Sequence, residues 1–211
     1  MSKLNISTKE KIVDKALEMF NERGIEYVGL RELAAILDMR VSNITYYFPT
    51  KDDLVFEISV RLRSVNSKVM IASESITMRG FLEMMQQVFT NHLQFRCLLL
   101  SFVHVMEQNK LVYESYKKTQ NTRNATIKSN VDTLVSSGYL RLKEEDEREF
   151  LVSSIALISR FWISEATISF RHLSSEAQMS HYLKLIARLL LPYSTARGKA
   201  DIKTFIESIK G

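Results

Sequence analysis

Apolar positions recur along this chain at helical spacing, and their pattern predicts an all-helical protein. Between Leu30 and Leu37 the apolar residues fall at i, i+3, i+4 and i+7, which is one face of a short helix. A second short helix is predicted over residues 41–47, with a small, polar and aromatic outer side. Two short helices at this spacing are typical of a helix-turn-helix. The residues predicted to face inward from the second helix are Ile44, Tyr47 and Phe48.

The residues that follow this pair predict a stop and a new helix. Pro49 cannot continue the second helix, and Thr50 is placed to cap the next one. That next helix is predicted over residues 51–72, long enough to connect two domains without a flexible linker. We therefore divide the chain into a DNA-binding domain, residues 1–54, and a second domain, residues 55–211. The apolar stripe of the connecting helix is Leu54, Ile58, Leu62, Val65 and Val69.

The first helix has a clear beginning and end. Ser7 and Glu10 stand at the spacing of a capping box, and Gly24 is placed to stop the helix. Its predicted apolar face supports the helix-turn-helix from behind. Further helices are predicted from Thr77, across the apolar segment Cys97–Glu107 as a central element, and over 110–137, 144–171, 175–195 and 201–210.

Composition agrees with a globular helical protein. Hydrophobic residues make up 45% of the chain, and only two prolines and six glycines occur. The one cysteine, Cys97, excludes an intramolecular disulfide and fits a reducing cytosol. The first residues lack the apolar core of a signal peptide, and the apolar run 97–106 is too short to span a bilayer. We therefore expect a cytoplasmic protein that does not enter a membrane.

Net charge alone does not point to DNA. The chain carries +5, but residues 1–54 hold eight Lys and Arg against nine Asp and Glu, a net of −1. DNA binding must therefore depend on where charges lie, with Arg31, Arg40 and Lys51 near the DNA and the acids facing elsewhere. This distribution predicts modest non-specific affinity.

Residues 7–58 resemble the N-terminal domain of TetR-family transcriptional regulators. The resemblance agrees in composition, order and spacing over about fifty residues, and beyond them it extends only to length and helical content. The matching motifs are Ala16-Leu17-x-x-Phe20-x-x-x-Gly24, Arg31-x-x-Ala34 and Ile44-x-Tyr46-Tyr47-Phe48-Pro49-x-Lys51-x-x-Leu54.

The resemblance implies a ligand-responsive, dimeric regulator. The fold implied is all-α, with an N-terminal three-helix helix-turn-helix domain joined to a helical ligand-binding and dimerisation bundle. The homodimer would form through residues 146–171 and 175–195 and place two helices in the DNA about one helical turn, or a multiple, apart. An unidentified small hydrophobic or amphipathic ligand in the second domain would release the operator, making the protein a repressor.

Candidate DNA contacts cluster around the second short helix. Arg40 either pairs with a guanine or is simply solvated, and Asn43 suits an adenine or a phosphate. A tyrosine hydroxyl at Tyr46 is a natural phosphate donor. Val28 and Gly29 lack the hydroxyl that the family usually has at these positions. The predicted DNA-binding residues are Arg31, Arg40, Val41, Ser42, Asn43, Thr45, Tyr46, Tyr47 and Lys51.

Aromatic, methionine and histidine side chains of the second domain are candidates for a ligand pocket. Each of them fits core packing equally well, and the family resemblance is what favours a cavity. The predicted ligand-binding residues are Met85, Phe89, His92, Phe102, Tyr113, Tyr116, Phe161 and Trp162.

No motif in the chain indicates catalysis, a metal or a cofactor. His104 and Glu107 share a helical face, but a di-metal bundle needs matching pairs on other helices, and none is present. Cys97 lies in an apolar segment and is expected to be a small buried hydrophobe. An enzyme is therefore the weakest hypothesis. The alternative to a ligand-released regulator is a DNA-bound scaffold for a protein partner, which a solid second-domain core would favour.

Overall fold

A computed structural model describes residues 7–209, and eleven α-helices account for most of that range. No strand occurs among these residues, where one β-bridge joins Leu140 to Ser194. The predicted all-α fold class is thereby confirmed. The helices are α1 (Thr8–Arg23), α2 (Leu30–Ile36), α3 (Val41–Tyr47), α4 (Lys51–Val69), α5 (Met78–Gln94), α6 (Arg96–Leu100), α7 (Phe102–Gln108), α8 (Lys110–Ser136), α9 (Glu145–Ser169), α10 (Ser175–Leu190) and α11 (Ala196–Ser208), with a 3-10 turn at Leu191–Tyr193.

The described chain forms two compact units, each discontinuous in sequence. The N-terminal unit comprises the residues up to 64 together with 94–116, and the C-terminal unit comprises 65–93 together with 117 to 209. Helices α4, α5 and α8 contribute residues to both units. The predicted boundary between residues 54 and 55 lies within α4, so both predicted domains contain part of this helix.

Reciprocal side-chain caps begin α1 and α4, where the sequence predicted a capping box at Ser7 and a cap at Thr50. Ser7 Oγ accepts the Glu10 amide at 3.2 Å, and the Glu10 carboxylate accepts the Ser7 amide at 2.9 Å. Thr50 and Asp53 form the same arrangement, at 3.2 and 2.9 Å. Each pair satisfies amides that the first turn of a helix leaves unbonded. The carboxylates also interact favourably with the positive end of the helix dipole.

The side chain of Asn21 joins α1 to the start of α6 within the N-terminal unit. Its Nδ2 donates to the Gln94 carbonyl at 2.8 Å, and its Oδ1 accepts the Cys97 amide at 3.0 Å. Both partners are backbone groups near helix ends, where intrahelical partners are missing. Asn21 therefore holds the 94–97 segment against the helix that supports the helix-turn-helix.

The segment 97–107 is not the single central element that the sequence predicts. It breaks at Ser101 into α6 and α7, and Leu100 and Val103 are 39% and 58% exposed. Helix α6 packs against α1 on one side. Two short helices covered on one side leave apolar residues exposed on the other, so hydrophobicity alone overestimated the burial of this segment.

Helix α4 is shorter than predicted, ending at Val69 and not at residue 72. The buried side chain of Asn130, on α8, explains the difference. Its Oδ1 accepts the Ser73 amide at 3.1 Å, and its Nδ2 donates to the Ile71 carbonyl at 3.2 Å. These two bonds take backbone groups that a continued helix would have used. The chain after Val69 is thus fixed in a non-helical path.

Helices α9 and α10 pack against each other and match the predicted pair closely. Ser174 caps α10, accepting the Ala177 amide at 3.2 Å, and the helix gives way to the 3-10 turn that contains Pro192. By length and composition alone α9 is apolar enough to cross a membrane. The core helix of a soluble protein passes the same test, and α9 buries one face in the C-terminal unit.

The last helix begins five residues earlier than the predicted start at residue 201. Thr195 caps it, because its Oγ1 accepts the Gly198 amide at 3.3 Å. The prediction missed this cap. Lys210, the predicted last residue of this helix, lies outside the described residues.

Helix α11 is firmly docked through a close backbone approach. A Cβ at Gly198 would lie 2.3 Å from the Tyr139 carbonyl oxygen, so only glycine fits there. The Arg197 guanidinium lies 4.1 Å from the centroid of the Tyr139 ring. Ile202 and Phe205 are each 1% exposed and complete the contact with the core.

Candidate functional site

The turn between α2 and α3 has a defined geometry that fixes the two helices relative to each other. Asp38 adopts φ 52°, the left-handed region, just after the end of α2. Its amide donates to the Ala35 carbonyl at 3.2 Å, and the Met39 amide donates to the Ala34 carbonyl at 2.9 Å. This pair of bonds is a Schellman motif, in which aspartate replaces the more common glycine.

Helix α3 buries one side and exposes the other. Ile44 is fully buried and Phe48, just after the helix, is 2% exposed, which confirms two of the three residues predicted to face inward. Tyr47 is 39% exposed and is therefore only partly covered. Its ring makes an edge-on contact with Tyr46 at a centroid distance of 5.0 Å. The two buried residues set which side of α3 is available to a partner.

The available side of α3 carries most of the predicted DNA-binding residues. Tyr46 is 80% exposed, which is unusual for a tyrosine in a well-packed unit. Thr45 is half-buried, and its hydroxyl donates to the Ser42 carbonyl at 3.4 Å. The remaining exposed side chains on this side are Val41, Ser42 and Asn43.

Two of the predicted cationic contacts are exposed and without an ion-pair partner among residues 7–209. These are Arg31 on α2 and Arg40 at the N-cap of α3. Other cations of the same unit are neutralised locally. Their ion pairs are Lys9 with Glu57 at 2.8 Å, Lys15 with Glu18 at 2.6 Å and Arg23 with Glu32 at 2.6 Å. Local pairing thus leaves positive charge beside α3 although the sum over residues 1–54 is negative.

Lys51 has a structural contact that the sequence did not reveal. Its Nζ donates to the carbonyl oxygens of Ile25 and Glu26, at 2.9 and 3.4 Å. These carbonyls belong to the loop between α1 and α2, which the lysine joins to the start of α4. An ammonium group has three N–H donors, so one remains for a further acceptor.

Glu26 interacts with the α6–α7 segment through the Ser101 hydroxyl. Burial opposes its ionisation, but a backbone hydrogen bond, the Ser101 hydroxyl and the nearby charges of His104 and Lys51 together lower its pKa. The carboxylate is thus kept ionised and directed to groups in its own unit. That the acids of residues 1–54 face away from DNA stays a prediction.

Three of the predicted ligand-binding residues come together in the C-terminal unit. Phe89 stacks on Trp162 with centroids 4.8 Å apart and rings 6° from parallel, and Phe89 also lies 6.0 Å from His92. All three side chains are buried. Met85 precedes Phe89 by one turn of α5 and is 1% exposed. Phe161 is half-buried beside Trp162 in sequence.

His92 lies among polar side chains in the C-terminal unit. The Trp162 indole N–H donates to His92 Nδ1 at 3.3 Å, and Asn66 Nδ2 lies 3.4 Å from His92 Nε2. Asn91 Nδ2 in turn donates to Asn66 Oδ1 at 3.0 Å. Burial lowers the pKa of His92 to about 3, and the positive charge of Arg123 adds to the shift. The imidazole is therefore neutral at physiological pH.

The other three predicted ligand-binding residues belong to the N-terminal unit. Phe102 and Tyr116 meet edge-on with centroids 5.1 Å apart, and both are half-buried. Tyr113 is 42% exposed. Sequence reasoning grouped all eight residues because they share a chemical character. The structure divides them between two units.

The described part of the chain contains no group of three or more His, Cys, Asp and Glu side chains that could hold a metal ion. Cys97 is 1% exposed, and burial raises the pKa of its thiol to about 12. A thiol in that state is a poor nucleophile, since the thiolate is the reactive form. Cys97 therefore serves as a small buried apolar residue.

Family profiles match nearly the whole chain. The profile described as bacterial regulatory proteins, tetR family, matches residues 12–58, and the TetR bacterial transcriptional repressor profile matches residues 64–202. The chain belongs to the TetR family. Helix-turn-helix geometry and family membership therefore agree over the same residues.

Two bacterial HTH-type transcriptional regulators resemble the chain to different extents. The probable HTH-type transcriptional regulator YttP of Bacillus subtilis (strain 168) is 28% identical over 144 residues, which cover 67% of this chain and 61% of that protein. The HTH-type transcriptional regulator LuxR of Vibrio harveyi is 38% identical over 53 residues, 25% of this chain and 26% of that protein. The match thus covers less than two thirds of either relative's length.

A solved structure supports the fold of the whole chain. A TetR-family transcriptional regulator from Marinobacter aquaeolei VT8 superposes with a TM-score of 0.88 at 19% identity, covering 97% of this chain and 100% of that one. TetR-family regulators are soluble proteins that bind operator DNA and act as dimers, and they are not enzymes. The superposition shows the fold, and the family profiles support regulation of transcription through DNA binding.

One exposed aromatic residue near the TetR-type helix-turn-helix was missed by the sequence analysis. Tyr27, in the loop before α2, is 80% exposed, and its ring lies beside Gly24. The signal was a large aromatic residue two positions before the expected N-cap, Gly29. Because Gly29 provides no side-chain cap and Val28 is buried, Tyr27 is the hydroxyl available in this loop.

Proposed function

We propose that the protein is a cytoplasmic repressor whose homodimer binds operator DNA and is released by a small hydrophobic or amphipathic ligand. The observation that carries the proposal is the division of α3 into two sides. Ile44 and Phe48 are buried, while Tyr46 stands 80% exposed on a surface with unpaired cations. An exposed polar and aromatic helix face of this kind fits the major groove.

The polar residues of α3 would supply contacts to base edges. Arg40, at the start of the helix, suits a guanine, and Asn43 suits an adenine or a phosphate. Ser42 can donate or accept a hydrogen bond. Val41 and the methyl group of Thr45 provide apolar contact for a thymine methyl.

The surrounding residues would fix the position of α3 on the DNA backbone. Tyr46 and Tyr47 would donate their hydroxyls to phosphates, and Arg31 would add a positive charge from α2. Lys51 would use the N–H left over from its two carbonyl contacts. Such contacts carry little sequence information but supply much of the affinity.

Dimerisation through residues 146–171 and 175–195 is supported by exposed apolar side chains on α9. Phe150, Leu157 and Ile168 are 50%, 57% and 82% exposed. Their spacing of seven and eleven residues places them within about 20° of one line along the helix. Leu185 on α10 is 43% exposed. Helix α9 already packs one face in its own unit, so its exposed apolar stripe needs a further surface to cover it. Another copy of the chain would provide that surface.

Ligand release would act through a difference in affinity between two states. A ligand near Phe89, His92 and Trp162 need only bind the DNA-incompetent dimer more tightly to shift the population. Helix α4 contains residues of both proposed domains, 1–54 and 55–211, and is the direct covalent connection between them. We propose that α4 transmits the change to α3.

The test is a gel shift of the purified protein with its own upstream DNA, repeated with salt and with a panel of hydrophobic compounds. A specific shift by a dimer, reversed by one compound, supports the proposal. A specific shift that no compound reverses favours a DNA-bound scaffold. If selection from random DNA sequences also yields no bound site, the proposed operator binding is wrong.

A further inference from the structure

The core around Trp162 contains two hydroxyl groups without hydrogen-bond partners. Ser159 Oγ and the Tyr182 hydroxyl are both inaccessible to solvent, and neither has a partner among the described residues. The two side chains are 8% and 6% exposed. Buried polar groups almost always have partners, because leaving one unbonded costs free energy. Two such groups beside one indole suggest that a molecule outside the chain provides the bonds.

Both hydroxyl-bearing residues are neighbours of Trp162, one along α9 and the other on α10. Ser159 precedes Trp162 by three residues on α9, so the two lie on the same face of the helix. The Tyr182 ring, on α10, lies 6.0 Å from the Trp162 ring. Phe89 stacks on Trp162 from α5. Three helices of the C-terminal unit thus bring aromatic surface and two unpartnered hydroxyls into one cluster.

We propose that Ser159 and Tyr182 bind the oxygen of an uncharged, mainly apolar molecule whose apolar part lies against Phe89 and Trp162. Hydroxyls both donate and accept, so a ligand carbonyl or alcohol satisfies them. They carry no charge, and an ion transferred into an apolar core without a counterion pays a large desolvation cost. This inference rests on the proposed ligand-released function and specifies the class of its ligand.

Two arginine charges near the residues of this cluster would favour a competing class of ligand, a carboxylate. The Arg123 charge acts on His92, and the Arg160 guanidinium lies 5.8 Å from the Phe161 ring centroid. Both arginines already have interactions within the chain. A carboxylate that displaced those interactions would bind more tightly than the matching alcohol, which makes the comparison decisive.

The chain provides its own probe, because Trp162 is its one tryptophan. We would titrate the full-length protein, without DNA, with decanol, decanoate and decylamine and follow Trp162 fluorescence. Decanol is expected to give a saturable change and to bind at least about tenfold more tightly than either ion. Tighter or equal binding of decanoate or decylamine would overturn the proposal, as would the absence of a saturable change with decanol.

Two substitutions test the hydroxyls directly. In the double variant Ser159→Ala/Tyr182→Phe, decanol affinity should fall by about tenfold or more, since two hydrogen bonds are lost. The Tm of the ligand-free variant should not fall, because neither hydroxyl has a partner in the protein. Unchanged decanol affinity in this variant would refute the assignment.

Ser180 is the matched control. It is a buried serine on α10, and its Oγ donates to the Ile209 carbonyl at 3.2 Å. Ser180→Ala should lower the Tm and leave decanol affinity unchanged. Because binding is measured without DNA, decanol that binds but does not release the operator would contradict the proposed release alone. The ligand class would then still stand.

Discussion

The Trp162 indole N–H donates to His92 Nδ1 across 3.3 Å in the core of the C-terminal unit. An indole can only donate, so Nδ1 must accept, and the neutral imidazole carries its proton on Nε2. A protonated His92 would bring two N–H groups towards each other. The bond to Trp162 and the burial of the ring therefore favour the same, uncharged state.

The free energy of unfolding should decrease as the pH is lowered, because of His92. Its pKa is about 3 in the folded chain against an ordinary 6.5. Between these values only the unfolded chain binds the proton, so the free energy of unfolding drops by up to about 1.4 kcal/mol per pH unit as the solution is acidified. The contribution is fully present above the unfolded pKa and is lost as the pH falls towards 3.

Urea unfolding at neutral and mildly acidic pH tests this prediction. His92→Asn keeps an acceptor for the indole but cannot be protonated, so its stability should depend less on pH than that of the wild type. His181→Asn, at an exposed histidine, should behave as the wild type does. Parallel pH profiles for the wild type and His92→Asn would contradict the prediction.

Tyr46→Phe should weaken operator binding by roughly tenfold, because one phosphate hydrogen bond is lost. Tyr46→Ala should weaken it further by removing the ring as well. Dimerisation, measured by analytical ultracentrifugation, should change little in either variant. Tyr113→Phe alters another exposed tyrosine of the same unit and should bind the operator normally. Wild-type affinity in Tyr46→Ala would remove Tyr46 from the DNA-binding surface.

Lys51→Gln should affect both DNA binding and stability. Loss of a phosphate contact should reduce the slope of log affinity against log salt by about 0.9. Loss of the bonds to Ile25 and Glu26 should also lower the Tm. Lys15→Gln, on α1, removes a charge already paired with Glu18 and should leave the slope unchanged. A lower Tm with an unchanged slope would mean that Lys51 has a structural role only.

Gly198→Ala should destabilise the C-terminal unit by about 1–3 kcal/mol, the usual cost of overpacking a tight contact. The added Cβ would meet the Tyr139 carbonyl oxygen at 2.3 Å, and backbone cannot move aside as a flexible side chain can. Ala200→Ser, at an exposed position of the same helix, should change stability by less than about 0.5 kcal/mol. Thermal and urea unfolding of the two variants provide the comparison, and equal stabilities would contradict the close contact.

Local signals in the sequence determined where α1 and α4 begin, and they determined the helix-turn-helix. The Ser7–Glu10 spacing, the stop at Pro49 and the cap at Thr50 act within a few residues, and each is found where predicted. The side of α3 that is buried also followed from local spacing, through Ile44 and Phe48. Such features depend on neighbours three or four positions away, which the sequence contains directly.

The tertiary structure decided what depends on partners distant in the chain. Asn130 bonds the backbone of Ser73 and Ile71, which are 57 and 59 residues away in the chain, and so fixes the chain after α4. The Tyr139 carbonyl requires glycine at position 198. Lys51 donates to a carbonyl of the loop between α1 and α2, and nothing in the sequence pattern predicted this bond. The sequence therefore determined the elements and the surface of α3, because short-range periodicity and caps encode them. Only the folded chain decided which polar atoms find partners, because those bonds join residues that meet only after folding.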